Sequence, residues 1–384
     1  MHKPNILYLL FIVALSLGAP PVFSHSTAQH MQAVMDDMHD LKAQCKLPSL
    51  SVAIGIGDEI VFAEAVGYQD LSARREASAA TQYSVGSIAK PMTGIALAKL
   101  IDMGKIALDA PVSDYVKSPS YTKTFTVRQL ASHVAGVPHD TAEREVAEFV
   151  NVHDHKSPFE AFAVFSSHPL LFEPGTEFKY SSNGYILLSA VIESASNINY
   201  VDFLSSMLWS ELSMTSTELD TSFAGNEHEA TYYAEITKDG DYVKSENKRD
   251  RSFLFGGGGF ISTPGDLVRM AQATYHEDFL SAESKQEMLT PTRLKNGEVN
   301  SDRYSLGWRV GAIRLTDSEE HQWPVLHHGG VTDKAATSFL LVVPDCKASI
   351  AFATNYVPEK FWQMRSRMAE VLKMYINPGE CQKN

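Results

Sequence analysis

Cysteine is scarce in this chain: its 384 residues hold three, Cys45, Cys346 and Cys381. That is too few for a disulfide framework, and no pair has the spacing of metal ligands. One bridge is permitted in an oxidising compartment, and Cys45 with Cys381 would join the two chain ends. Positive charge is short as well, with 33 Lys and Arg against 46 Asp and Glu, a net charge of −13. With no basic run to offset it, that balance argues against a nucleic-acid partner and reads as solubility. The chain has no internal repeat, no low-complexity tract and, past its first two dozen residues, no apolar run long enough for a bilayer. Three catalytic signatures are missing too. There is no H-E-x-x-H for a metal hydrolase and no G-x-S-x-G for an α/β-hydrolase elbow. The run Gly256-Gly257-Gly258-Gly259 lacks the lysine and flanking strand–helix unit of a phosphate cradle, so it reads as a flexible or close-approach loop. His153-Asp154-His155, the densest histidine cluster, reads as a solvated loop. Neither a metal nor a cofactor is expected.

What is present begins with Met1-His2-Lys3, an apolar run over 6–17, and Ala19-Pro20-Pro21-Val22-Phe23-Ser24. This reads as a secretory signal over 1–24, cleaved after Ser24. The apolar run is short for a membrane anchor, and the arginines of a mitochondrial presequence are lacking. The expectation is an exported protein, periplasmic or secreted, with no stable membrane span after cleavage.

Met31, Val34, Met35, Met38 and Leu41 form a helical stripe. Stretches 51–56 and 59–66 read as strands joined by Gly57-Asp58, and 337–343 with 348–354 as strands joined by Pro344-Asp345. Between them, helical stretches at 127–132, 185–195 and 201–212 alternate with polar loops, and Asp239-Gly240 marks a hairpin. A last amphipathic helix carries Phe361, Met364, Met368 and Leu372. The layout predicts an α/β protein of the α+β kind. One antiparallel sheet, flanked by helices, is built from both chain ends (25–115 plus 286–384). A mainly helical lobe (116–285) is inserted, with a cleft between the two.

The residues that point to chemistry centre on Ser84-Val85-Gly86-Ser87-Ile88-Ala89-Lys90-Pro91. Ser87 and Lys90 lie three apart, on one face of a helix, so the amine sits beside the hydroxyl. A serine hydroxyl is a weak nucleophile until a neighbouring base takes its proton. Ile88, Met92, Ile95, Leu100 and Met103 support the helix, and Pro91 is tolerated in its first turn. A second proton-transfer group is available in Tyr180, at the mouth of the apolar helix that follows Ser181-Ser182-Asn183-Gly184-Tyr185. Val325-Leu326-His327-His328-Gly329-Gly330 supplies glycines where a backbone or ligand comes close. The N–H groups of Ser87 and Gly330 suit an oxyanion hole. Adjacent histidines on a strand face opposite ways, so one of the two faces the cleft.

Taken together, these motifs resemble the serine β-lactamase-related family, which includes class C β-lactamases, D-alanyl-D-alanine carboxypeptidases and esterases of the same fold. The matching stretches are 83–90, 130–138, 172–185, 258–267, 304–308 and 327–330, in order along nearly the whole mature chain. The resemblance implies that Ser87 is acylated, Lys90 helps deprotonate it and Tyr180 passes the proton to the leaving group. It places His327 where β-lactamases have the lysine of K-T-G, Gly330 as second oxyanion donor, and His133 in a structural segment. Three departures stand out. Ser182 replaces an asparagine (Asn183 is one place too late), His327 replaces the lysine, and Asp333 replaces a glycine. Asparagine and lysine bind the amide and carboxylate of a β-lactam, so efficient lactamase activity is not expected, and nitrocefin turnover should be slow or absent. The implied function is serine hydrolysis of a small-molecule or peptide amide or ester. The alternative is a catalytically inactive, penicillin-binding-like relative that keeps the cleft for binding peptides or acts as an assembly subunit.

Overall fold

The structure, a computed structural model, describes residues 25–117, 124–139, 157–221, 227–245, 250–316 and 320–382. The expected signal at 1–24 and His153-Asp154-His155 lie outside the described residues.

The chain opens with α1 (His25–Gln44), then β1 (Ser49–Ile56), β2 (Glu59–Asp70), β3 (Arg75–Glu76) and β4 (Tyr83–Ser84). After α2 (Ala89–Asp102) come α3 (Val127–Ala131), α4 (Pro158–Phe165), α5 (Ser182–Ser196) and α6 (Tyr200–Leu204). Next are β5 (Glu218–Leu219), the hairpin of β6 (Tyr233–Ile236) and β7 (Tyr242–Lys244), β8 (Phe260–Ser262), α7 (Pro264–Gln272) and α8 (Ala282–Leu289). The chain closes with β9 (Arg309–Ile313), β10 (Trp323–Thr332), β11 (Ala336–Val343), β12 (Ala348–Thr354) and α9 (Phe361–Lys373).

The main sheet has seven strands in the order β3-β2-β1-β12-β11-β10-β9, and its pairings are antiparallel. β1 meets β12 at its centre, with Ala53 opposite Ala351, so the first and last parts of the chain close one sheet as expected. Its central strands are covered on both faces. β11 and β12 are buried throughout, which explains their unbroken apolar runs.

Two cores follow from strand alternation. On one face Val52, Ile54, Val325, Phe339, Leu341 and Phe352 pack with Val34 and Met38 of α1 and Met364 and Met368 of α9. On the other, Ala53, Leu326, Leu340, Val342 and Ala351 join the core that holds α2 and the helical stretch. α2 is the axis of that second core, with Met92, Ile95, Ala96 and Leu97 all buried. Its Gly94 lets another backbone approach: a Cβ there would lie 2.1 Å from the Leu306 carbonyl oxygen. Helix α7 falls inside the stretch expected to form the helical lobe, yet its Leu267 and Val268 pack onto the sheet beside β1 and β12. Among the described residues no helix is long and apolar enough to cross a membrane.

The expected pairing of the chain-end cysteines is not found. Cys346 bridges Cys381, with Cα atoms 4.2 Å apart, and Cys45 is a buried free thiol. After α9 the tail turns back onto the β11–β12 connection, where the Gln382 N–H donates to the Asp345 carbonyl at 2.8 Å. That path delivers Cys381 to the turn holding Cys346, whereas Cys45, at the end of α1, is enclosed by the core of the sheet's outer face.

Candidate active site

The loop that carries Ser87, the candidate nucleophile, is set by three backbone constraints. β4 pairs with β8, and the Val85 N–H donates to the Phe260 carbonyl at 3.0 Å, so the chain enters the turn from a fixed direction. Gly86 then takes φ +49°, a conformation other residues rarely adopt. A Cβ there would stand 3.0 Å from the Val331 carbonyl oxygen and 3.1 Å from Thr332 Oγ1, so the end of β10 runs alongside. One 3-10 turn (Gly86–Ile88) leads straight into α2. From Thr81 to Ala98 every residue is buried except Ser87, which is half-buried.

Lys90 is fully buried, and its ammonium nitrogen touches three oxygens. It donates to Ser87 Oγ at 3.2 Å, Ser182 Oγ at 3.1 Å and the Gly257 carbonyl at 2.6 Å. Three acceptors match the three N–H bonds of a lysine head. The Gly257 contact also explains the four-glycine run. A Cβ on Gly256 would sit 2.3 Å from Thr93 Oγ1, and one on Gly257 2.8 Å from the Ser182 carbonyl oxygen, so this loop is built for close approach. Ser182 opens α5, whose N-terminus is capped by Ser181 accepting from the Gly184 N–H at 2.9 Å.

Tyr180 immediately precedes that cap. The Lys90 nitrogen lies 4.8 Å from its ring centre. Burial pushes the Tyr180 phenol well above its ordinary range, while the nearby Ser87 hydroxyl and the Arg309 charge oppose that rise. His133, held at φ +62°, accepts from the Ser181 N–H at 3.1 Å and packs its ring 4.5 Å from that of Tyr180. Burial and the Lys90 charge keep His133 neutral, so it supports the tyrosine segment without carrying charge.

The structure separates the two strand histidines, and it corrects the expectation for His327. Trp323 and Val325 of β10 point into the core under α1 and α9, and alternation sends His327 the same way. There it accepts from Arg365 of α9 at 3.2 Å and neighbours Phe339. Burial, then Arg365 and Arg309, lower its pKa to about 3. Leu326 points to the α2 side, and so does His328, which stands 6.2 Å from the Tyr180 ring. The histidine beside Ser87, Lys90 and Tyr180 is therefore His328. Gly330 shares its face, and a Cβ there would fall 1.9 Å from the Val85 carbonyl oxygen. Asp333 is exposed in the turn after β10.

Further residues of the cluster were not singled out from sequence. Tyr304 is fully buried and its hydroxyl meets His328 Nε2 at 2.9 Å. Arg309, at the start of β9, meets the same nitrogen at 3.1 Å and binds Asp302 through Nε at 2.9 Å. Its guanidinium carbon lies 5.4 Å from the Tyr180 ring centre. The available signal was position: Arg309 directly follows the 304–308 stretch already matched as a motif. Among the described residues no group of three or more His, Cys, Asp or Glu is placed to hold a metal ion.

A mixed fold with a large antiparallel sheet between helices carries a buried lysine beside a half-buried serine at the head of its central helix, an architecture of the β-lactamase class. The beta-lactamase family model matches residues 27–372, and the chain belongs to that family. The mouse mitochondrial serine beta-lactamase-like protein LACTB is 26% identical over 90% of this chain and 79% of its own length. Among solved structures, EstCE1, described as a hydrolase with promiscuous acyltransferase activity, superposes with a TM-score of 0.71 at 20% identity. That match covers 91% of this chain and 97% of EstCE1. The D-amino acid amidase of Ochrobactrum anthropi SV3 gives a TM-score of 0.71 at 22% identity, covering 91% of this chain and 98% of its own. The structural likenesses concern the fold.

Proposed function

We propose that the protein is a serine hydrolase that forms an acyl-enzyme on an amide or ester. One observation carries the reading: the Lys90 nitrogen lies 3.2 Å from Ser87 Oγ and 4.8 Å from the ring centre of Tyr180. With Tyr180 reacting as its phenolate, Ser87 Oγ bonds to the carbonyl carbon, the serine proton passes to the phenolate oxygen and the carbonyl π pair moves onto the oxyanion. As the C–N or C–O bond breaks, Tyr180 hands that proton to the leaving group. Lys90 holds the serine, and its charge favours the anionic forms of both hydroxyls. Water then attacks the acyl carbon by the reverse route and frees Ser87.

The oxyanion is held by the Ser87 N–H and a β10 N–H. Because the histidine at the cluster is His328, one place later than first aligned, the strand donor moves with it from Gly330 to Val331. Gly330 then serves by leaving room for Val85. Ser182 has its hydroxyl occupied by Lys90, which leaves the substrate's amide without the side-chain carboxamide that β-lactamases offer. Simple esters and peptides are therefore favoured over β-lactams as acyl donors. The EstCE1 and amidase likenesses agree with that choice of chemistry. We also place the protein in an exported compartment, on the apolar N-terminal run and the Cys346–Cys381 bridge, since such bridges persist where conditions are oxidising.

Turnover of p-nitrophenyl esters tests the roles. Lys90→Ala and Tyr180→Phe should each lower kcat by about two orders of magnitude or more. Near-normal rates in both would remove them from the mechanism.

A further inference from the structure

The third-motif lysine is missing, and the histidine that occupies the cluster does not replace its charge. His328 Nδ1 lies 2.8 Å from the Gly329 carbonyl oxygen, which only accepts, so Nδ1 carries the hydrogen. Nε2 is then the bare nitrogen, and it accepts from Arg309 at 3.1 Å and from the Tyr304 hydroxyl at 2.9 Å. Burial, with Arg309 and Lys90 adding to it, keeps this imidazole neutral. The cation on this side of the cleft belongs to Arg309.

Arg309 is fixed on two sides. Asp302 Oδ2 takes Nε at 2.9 Å and Nη2 at 2.8 Å, while Nη1 rests on His328. In that pose its guanidinium carbon is 5.4 Å from the Tyr180 ring centre, and the Lys90 nitrogen is 4.8 Å from it. The other groups against Tyr180 are the neutral rings of His133, His328, Tyr185 and Tyr304, together with His139 from the loop after α3, whose Nδ1 accepts from the Ser182 N–H at 3.0 Å. Two cations thus flank the tyrosine, and Asp302 is the anion that tempers one of them.

We propose that Arg309, held by Asp302 and His328, is the positioning residue that stabilises deprotonated Tyr180 in place of the absent lysine. The inference rests on the serine-hydrolase reading. It gives Asp302 and Arg309 opposite effects on one proton. Without Arg309 the phenolate loses a cation and forms at higher pH. Without the Asp302 charge it faces an untempered guanidinium and forms at lower pH. A purely structural role for the pair predicts losses of rate without opposite shifts.

The test is the second-order rate of fluorophosphonate labelling of Ser87 against pH, which needs no knowledge of the natural substrate. The rising limb should move up by about one pH unit in Arg309→Gln and down by several tenths in Asp302→Asn. Arg309→Lys should bring it back towards the wild-type position even if the rate stays low. Limbs that coincide with wild type, or that move the same way in Arg309→Gln and Asp302→Asn, overturn the proposal. Asp302→Asn and Arg309→Lys keep the test open should Arg309→Gln fail to fold. Then a limb in Asp302→Asn that stays put or rises overturns it. Absence of any Ser87-dependent labelling in the wild type would overturn the hydrolase reading itself and this role with it.

Discussion

At the scale of single residues, the site depends on which atoms a buried lysine and a strand histidine reach. Lys90 reaches Ser87, Ser182 and Gly257, and with its three bonds taken the proposed mechanism gives the serine proton to Tyr180. The S-x-x-K spacing made that first contact legible in the sequence, because three residues along a helix is a fixed geometry. The histidine was half legible. Alternation said that one of His327 and His328 faces the cleft, but choosing between them required knowing that Trp323 and Val325 lie under α9. Paired substitutions check the choice. His328→Gln should lower ester turnover by roughly tenfold or more, because Arg309 and Tyr304 lose their common anchor. His327→Gln should stay within a few-fold of wild type. The reverse ranking in a kcat comparison would restore His327 to the site. Arg309 was not legible as a participant, since its place depends on β9 pairing Arg309 with His327, 18 positions further along the chain.

At the scale of elements, the meeting of the turn at the head of α2 (Gly86–Ile88) with β10 is what would bring Ser87 to the proposed oxyanion donors. It is a contact of backbones. Gly330 has 1.9 Å between its notional Cβ and the Val85 oxygen, and 2.4 Å to Ser338 Oγ. Neither is the far end of a flexible chain. Gly330→Ala should therefore push β10 off the nucleophile loop, destabilising the fold by about 1–3 kcal/mol and removing most activity, as read by urea melts and ester assays. Val331→Pro is the complementary probe. Beyond His327, β9 no longer pairs with β10, so the Val331 N–H that faces the open edge is spared from the sheet in our reading. Its loss should lower kcat by about 10²–10³-fold with the circular dichroism spectrum retained. An unfolded Val331→Pro protein would instead assign that N–H to β11. The strands themselves were legible from Gly57-Asp58 and Pro344-Asp345, the turns that join β1 to β2 and β11 to β12. The position of α7 was not, because its apolar stripe says that it packs and not on which surface.

At the scale of the whole molecule, both chain ends share one sheet, and the second core runs unbroken from that sheet into the helices. Stability and site geometry are therefore linked. The side of the nucleophile loop away from Tyr180 carries a buried acidic group. Ser84 Oγ donates to Asp220, and Glu229 stands near, its pKa raised to about 7 by burial and then by the Asp220 charge. The folded chain then keeps the Glu229 proton between about pH 4.5 and 7, where the unfolded chain has lost it. Stability should fall as pH rises through that window. Glu229→Gln should flatten the fall and add on the order of 1 kcal/mol at pH 8, once solvent screening is allowed for. Equal slopes of unfolding free energy against pH for both proteins would exclude Glu229 as the source. The bridge between Cys346 and Cys381 was missed from sequence for a reason of the same scale. Pairing depends on the route of the tail after α9, which no local pattern encodes.

The account as a whole requires Ser87 to become acylated. Intact-mass measurement after incubation with a fluorophosphonate or a penicillin addresses this directly. A single adduct on the wild-type protein, mapped to the peptide containing Ser87 and absent from Ser87→Ala, is the predicted result. No adduct at any pH, or one that persists in Ser87→Ala, would contradict it.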